Sequence, residues 1–325
     1  MILICGGAGY IGSHMSAYLR EQGREVVIID NLMSGHKQAI GDTKLYVGDI
    51  RDSAFLDTVF NENSITAVIN FAALSLVEES MQYPLKYFDN NVGGIISLLS
   101  AMVKHNVKNI VFSSTATVYG LSKQMPLHEN ADLQPENPYG ESKCMVEDIL
   151  KWCDVCHGVK YAVLRYFNVA GTHPNGHIGE NHNPETHLIP IIAQVALGQR
   201  EKIIIYGNDY PTADGTCIRD YIHIMDLAEA HDLALESLHK HGKSSTYNIG
   251  SGVGYSVKEV VDAFEKIIGR AIPKEIGYRR SGDTATLVAD CEAIKKELGW
   301  QPKYSLSDMI SSAWNWHGKH PQGFK

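Results

Sequence analysis

The chain lacks long apolar runs, dense basic stretches and any ordered set of cysteines. Each shortage removes a class of protein. The longest hydrophobic stretches are strand-length, far short of the ~20 residues that a membrane-spanning helix needs. Lys and Arg total 29 against 37 Asp and Glu, a formal charge of −8 over 325 residues. That balance argues against nucleic acid or an acidic membrane surface as the main partner. The six cysteines, at 5, 144, 153, 156, 217 and 291, are scattered. Cys153-Asp154-Val155-Cys156-His157 matches a haem-attachment spacing, and its first four residues match a redox pair. The bland reading is preferred, two cysteines on an ordinary helix over Glu147–Cys156. Covalent haem requires export, and Met1-Ile2-Leu3-Ile4-Cys5 enters a strand with no basic leader or cleavage site before it. A cytoplasmic protein without a metal site is expected. No internal repeat or low-complexity stretch is evident.

What is present is an ordinary globular composition, 44% hydrophobic and 20% charged, in a chain long enough for one large α/β domain or two domains. Strand signals at Ile2–Cys5, Glu25–Asp30, Thr66–Phe71, Asn109–Ser113 and Lys160–Arg165 alternate with helical patterns. The helices are expected over Ile11–Gln22, Ser53–Asn63, Tyr87–His105 and Tyr139–Cys156. Such βαβ alternation implies a Rossmann-type, doubly wound parallel sheet. Beyond about Arg165 the regularity breaks. Residues 171–186 read as a loop, followed by helices at Leu188–Leu197, Met225–His239 and Ser256–Ile268. A smaller α/β substrate-binding domain over 169–325 is expected after a dinucleotide-binding domain over 1–168, with a segment near 216–249 returning to the first.

The loop Gly6-Gly7-Ala8-Gly9-Tyr10-Ile11-Gly12 lies between the first strand and helix. Glycines there permit a tight turn and let a pyrophosphate approach a helix N-terminus. Asp30 ends the second strand, where a carboxylate can accept from both ribose hydroxyls of NAD and repel the 2′-phosphate of NADP. Asp49-Ile50 is placed to flank the adenine. Tyr139 and Lys143, four residues apart, share one helix face. A free tyrosine titrates near pH 10, and a nearby ammonium is expected to bring the phenol towards neutrality. Thr115, after the strand-end pair Ser113-Ser114, offers a hydroxyl to the same substrate oxygen. A proton-transfer pair beside a nicotinamide predicts oxidation of a secondary alcohol.

These residues identify a resemblance to the extended short-chain dehydrogenase/reductase family and, within it, to the bacterial UDP-glucose 4-epimerase branch. Its motifs run nearly the whole length. They include the glycine loop, Phe71-Ala72-Ala73, Asp89-Asn90-Asn91, Pro138-Tyr139-Gly140-Glu141-Ser142-Lys143, Arg165-Tyr166-Phe167-Asn168, Tyr206-Gly207-Asn208-Asp209-Tyr210 and Arg279-Arg280-Ser281-Gly282-Asp283. The resemblance implies that Tyr139 is the acid/base, Lys143 its activator and Thr115 the hydroxyl partner. It places Gly6, Gly9, Tyr10, Ile11, Gly12, Asp30, Asn31, Asp49, Ile50, Phe71, Ala72, Ala73, Asn91 and Phe167 at NAD. Asn168, Leu188, Tyr206, Arg219, Arg280 and Asp283 correspond to positions that hold the uridine diphosphate. It further implies reversible 4-epimerisation of UDP-galactose and UDP-glucose through a 4-keto sugar. A homodimer joined through the helices near 87–105 and 139–156 is implied as well. Four departures stand out. Cys5 replaces a usual threonine, Ser75 replaces a lysine, Leu287 is intermediate in size at the sugar wall, and Glu185-Thr186-His187 replaces an asparagine-rich loop. A 4,6-dehydratase needs an Asp-Glu pair where this chain has Ala116-Thr117. A UDP-pentose or UDP-uronate enzyme, or an N-acetylhexosamine epimerase, differs only in pocket detail. A non-catalytic NAD sensor would be expected to lack Tyr139 or Lys143.

Overall fold

The computed structural model describes residues 1–122, 124–280 and 283–324. In chain order the first elements are β1 (Ile2–Cys5), α1 (Tyr10–Glu21), β2 (Val26–Asp30), β3 (Lys44–Val47), α2 (Ser53–Glu62) and β4 (Ala67–Asn70). There follow α3 (Val77–Gln82), α4 (Pro84–Tyr87), a π-helical turn (Phe88–Gly93), α5 (Gly94–Lys104), β5 (Asn109–Thr115), α6 (Pro138–His157) and β6 (Lys160–Tyr166). The second half holds β7 (Asn168–Ala170), α7 (Leu188–Ala196), β8 (Ile203–Tyr206), β9 (Ile218–His223), α8 (Ile224–His241) and β10 (Ser245–Ile249). It closes with β11 (Gly254–Ser256), α9 (Val257–Ile268), β12 (Lys274–Gly277), β13 (Thr286–Leu287), α10 (Glu292–Leu298) and α11 (Leu306–Lys319). Among the described residues no helix is long and apolar enough to cross a membrane.

The chain divides into two compact units, and neither is continuous. The first takes Met1–Ser122, Glu129–Tyr166 and Ala228–Tyr247, and the second takes the rest. Against the expected boundary at 168, the first long stretch of unit one ends at Tyr166, and its returning stretch begins at Ala228 rather than near 216.

Unit one is built on a seven-stranded sheet in the order β10-β6-β5-β4-β1-β2-β3. Its neighbours from β3 through β6 all run parallel. Strands covered on both faces need continuous apolar sequence. Ile2-Leu3-Ile4-Cys5 and Ala67-Val68-Ile69 supply it, every residue buried. Leu56, Val59 and Phe60 of α2, Leu98 and Met102 of α5, and Val146 and Leu150 of α6 share the same core. Chain order reverses at β1, which lies between β2 and β4, so loops leaving the ends of β1 and β4 diverge and open a crevice.

Unit two holds a small sheet in which β9 pairs with β11, β13 and β7, and a separate parallel pair β8–β12. Its core joins Ile189, Ile192 and Ala193 of α7, Val260, Val261 and Phe264 of α9, and Met309, Ile310 and Ala313 of α11. Helices α9 and α11 both begin with a capping box, Ser256 with Glu259 and Ser305 with Asp308.

Candidate active site

The β1–α1 turn has the tightness its glycines suggested. Gly6 sits at φ +74°, and a Cβ there would lie 2.6 Å from the backbone N of Ala72. At Gly12 a Cβ would fall 2.2 Å from the Gly6 carbonyl oxygen. Gly9 differs, since a Cβ there would meet only that oxygen at 3.5 Å. No protein contact demands glycine at 9, yet it lines the crevice and precedes α1, whose first turn has no side-chain cap. A bare cradle facing uncapped N–H groups fits a pyrophosphate.

The crevice lies at the carboxyl ends of β1, β2, β3 and β4. Its walls include Gly6, Gly9, Asp30, Asn31, Asp49, Ile50, Phe71, Ala72 and Ala73, all expected at the cofactor. Asp30 is 8% exposed, and its two oxygens accept from the N–H groups of Ala8 (2.9 Å) and Leu32 (2.8 Å). It therefore shapes the rim and keeps lone pairs for a ligand. Arg51 grips Asp49 through Nε (2.9 Å) and Nη2 (2.8 Å) and holds its carboxyl down at about 2.

Asn91 is fully engaged by protein. Its Oδ1 accepts from Leu74 N–H (2.8 Å) and Asn90 (3.0 Å), and its Nδ2 donates to the Leu74 carbonyl and Ser142 Oγ (3.0 Å each). All four hydrogen-bonding positions of the amide are taken, so its side chain ties the loop after β4 to α6. It sits in the π-helical turn, where the sequence pattern suggested continuous α-helix from Tyr87.

Helix α6 starts with Asn137, whose Oδ1 accepts from Gly140 N–H at 2.9 Å, and with Pro138 at its first position. This start sets Tyr139 in the first turn and Lys143 one turn later. Thr115 lies at the end of β5, its hydroxyl beside that of Tyr139 and 3.0 Å from Thr117 Oγ1. Lys143 is 3% exposed and donates to the Ser113 carbonyl at 2.8 Å, with Nζ 5.9 Å from the Tyr139 ring centre. Burial works against the expected acidification of the phenol. Burial pushes Tyr139 up to about 12, with the Thr115 hydrogen bond opposing. Burial likewise drives the Lys143 ammonium down to about 7, while Glu147 pulls it back up. Dry surroundings penalise the charged form of each group.

Beneath lies a network that sequence reasoning did not single out. Glu147 accepts from Ser114 Oγ (2.6 Å) and from Arg165 Nε (3.1 Å) and Nη2 (2.6 Å). Arg165 also donates to Tyr119 Oη at 2.8 Å. Glu147 has Lys143 and Lys151 at helical spacing and read as an ordinary surface charge, so no sequence signal marked the pair. Further along α6, Cys153 and Cys156 are free thiols on regular helix.

Unit two carries the six residues expected at the nucleotide. Arg219 donates to the carbonyls of Ile218 and Thr284 (2.9 Å each) and to Asp283 Oδ1 (3.0 Å). The Arg280 guanidinium stacks 4.0 Å over the Tyr206 ring. Asn168 hydrogen-bonds the Tyr221 hydroxyl, and Leu188 opens α7, half-buried against the core. Leu287 pairs in register with Arg219 on the adjoining strand. Asp220 was not anticipated. Fully buried, it accepts from Ser251 N and Oγ (2.7 Å each), Gly252 N (3.0 Å) and Ala289 N (3.1 Å), bracing the strand that carries Arg219. Thus the catalytic residues, of which Tyr139 and Thr115 are also expected at the sugar, and all the cofactor residues but Phe167 lie in unit one, and the six nucleotide residues in unit two.

The family model described as GDP-mannose 4,6 dehydratase matches residues 3–313. A UDP-glucose 4-epimerase of Halalkalibacterium halodurans is 55% identical over 324 residues, covering 99% of this chain and 97% of the relative. The chain belongs to the UDP-glucose 4-epimerase family. A crystal structure of a UDP-glucose 4-epimerase superposes with TM-score 0.98 at 51% identity, covering 100% of this chain and 99% of the other. The Bifidobacterium longum epimerase, solved in complex with NAD+ and UDP, gives 0.94 at 42% identity with 99% of each chain covered. Membership accounts for both halves of the chain, the dinucleotide crevice and the arginine-bearing second sheet. Within the epimerase family fold, the buried Cys5 is accommodated without strain on the sheet. Its thiol is pushed up by burial and is unreactive.

Proposed function

We propose that this chain interconverts UDP-galactose and UDP-glucose by inverting C4, with NAD as cofactor and Tyr139 as acid and base. The carrying observation is the Tyr139–Thr115 hydroxyl pair at the end of β5, with Lys143 buried one helical turn away. Tyr139 as phenolate takes the proton of the sugar 4-hydroxyl and later returns it. Thr115 orients the same oxygen, and Lys143 supplies positive potential that favours the phenolate. Bound NAD supplies the acceptor for the C4 hydrogen and then its donor, so the stereocentre inverts with no net redox change. Gly6, Gly9 and Gly12 give the pyrophosphate its backbone approach, Asp30 takes the ribose hydroxyls, and Asn31, Asp49, Ile50 and Phe71-Ala72-Ala73 line the remaining wall. Arg219 and Arg280 bind the diphosphate, which keeps the oxidised sugar from leaving while it turns over. Asn168, Leu188, Tyr206 and Asp283 hold the rest of the nucleotide.

The family model's description raises dehydration as a second reading. Elimination of water needs an acid and a base beside Thr115, but Ala116 and Thr117 carry no carboxyl group. Epimerisation needs neither. The chain also exposes Ile96 on α5 and Met145, Trp152 and Val155 on α6. These apolar side chains, on helices that pack together, support a homodimer formed through that face.

The test is chromatography of products after incubating purified protein with UDP-galactose, with and without added NAD. UDP-glucose should appear without net NADH release. If UDP-galactose stays unchanged even with NAD supplied, the reading fails.

A further inference from the structure

Outside the residues assigned so far, the loop entering α7 carries an unusual donor set. Glu180, His182, Glu185 and His187 each present a ligand-type atom, and these atoms all lie within 4.8 Å of one another. We propose that these four residues bind one divalent transition-metal ion of the zinc class, as a closed structural site that pins residues 180–187 at the start of α7.

The chemistry fits. Two carboxylates and two imidazoles form a nitrogen–oxygen set suited to such ions, and two carboxylate charges balance a dication. With metal–ligand bonds of about 2.0–2.2 Å, the ligand atoms of a tetrahedral site are spaced about 3.3–3.6 Å apart. His182 Nδ1 lies 3.3 Å from Glu180 Oε1, and the Glu185 carboxylate reaches the two imidazoles through different oxygens, His182 through Oε2 at 3.7 Å and His187 through Oε1 at 3.5 Å. His187 Nδ1 also meets Glu180 Oε1 at 2.5 Å, a hydrogen bond that the ion would replace, releasing its proton.

Burial and support agree with this. The side chains of Glu180 and Glu185 are 5% and 2% exposed, and their buried charges are met by His182 and His187, the two imidazoles that would join them as ligands. Glu185 is oriented by backbone, since its Oε1 accepts from Thr186 N–H (2.8 Å) and His187 N–H (2.9 Å). Such outer contacts fix a ligand before the metal arrives. Next to Glu180, a Cβ on Gly179 would fall 2.1 Å from the Trp316 ring, so the loop is pressed against α11. His187, 57% exposed, leaves a route for the ion.

The experiment strips the full-length protein with a chelator, titrates in Zn2+ alone, and follows binding by calorimetry and the unfolding midpoint by fluorescence. Wild type should take up one Zn2+ per chain and unfold at higher temperature. His187→Ala, at an exposed side chain that leaves the core intact, should weaken Zn2+ binding by at least about tenfold, the scale on which even outer-shell losses act. His182→Asn should do the same. Co2+ in place of Zn2+ should show the strong visible absorption of four-coordinate cobalt. The proposal is overturned if stripped wild type takes up no stoichiometric Zn2+, or if both variants bind it as wild type does. In either case the four residues form ion pairs only. No readout depends on turnover, so this failure leaves the epimerase reading untouched.

Discussion

Replacing Glu147 with glutamine tests whether the buried pair under Tyr139 holds the site together. Glu147 and Arg165 have side chains 2% and 6% exposed and meet at 2.6 Å. Neutralising one partner leaves a guanidinium charge uncompensated in a dry environment, which costs about 3–5 kcal/mol. Glutamine keeps one oxygen that can accept from Arg165, so the lower end, about 3 kcal/mol, is expected. In a body of 150–250 residues each kcal/mol moves the midpoint by about 2–4 °C, so unfolding should begin roughly 6–12 °C earlier. Circular dichroism melts report this directly. A second readout separates this packing from catalysis. Glu147 raises the Lys143 pKa, so its loss lowers it further from about 7, and the ammonium disappears at lower pH. The alkaline limb of the kcat profile should therefore shift to lower pH in Glu147→Gln. A melt within 1 or 2 °C of wild type, on that same scale, would refute the buried-charge argument. An unmoved alkaline limb would refute the link to Lys143.

Three further outcomes are expected. Tyr139→Phe removes the proton carrier and should lower kcat by about 10²–10⁴, the usual contribution of a general acid–base, with NAD still bound in an absorbance assay. An unchanged rate would remove Tyr139 from the chemistry. Asp30→Ala gives up charge-assisted hydrogen bonds worth about 1.5–3 kcal/mol and should weaken NAD binding about ten- to a hundredfold, leaving UDP binding by calorimetry little changed. A selective loss of UDP binding would contradict that assignment. Trp152→Glu, at a side chain 69% exposed, should keep the circular dichroism spectrum of the folded chain and halve the particle mass by light scattering, and an unaltered mass would exclude this face as the dimer contact.

The parts legible in sequence were those governed by local pattern. β1, β2, β4, β5 and β6 are short apolar runs between helix-period stretches, and the glycine loop and Tyr139/Lys143 spacing follow from them. β3 was missed because Lys44-Leu45-Tyr46-Val47 exposes both its ends and lacks a continuous apolar run. The π-helical turn at Phe88–Gly93 has no periodic signature of its own in so few residues. β10 joins the large sheet through a partner far away in sequence, which local pattern does not reveal. Helix α11 was not among the expected helices, although Ser305 and Asp308 form a capping box at its start and Leu306, Met309, Ile310 and Ala313 follow helical spacing. The Asn91 amide and the Tyr139 pKa depend on what surrounds them in space, and the burial that raises the latter is not visible in spacing.

The threading of the first unit has a consequence for how the protein is made. Its edge strand β10 and the greater part of α8 come from residues 228–249, after β7, α7, β8 and β9. Chains emerge from the ribosome N-terminus first, and domains fold as units once complete. Here the crevice-bearing sheet gains its last strand only when residue 249 of 325 has been synthesised. A nascent chain halted at 166 has a raw β6 edge, open to pairing with another chain. Translation through the second unit is thus part of finishing the first, and a fragment ending near 166 should aggregate rather than fold.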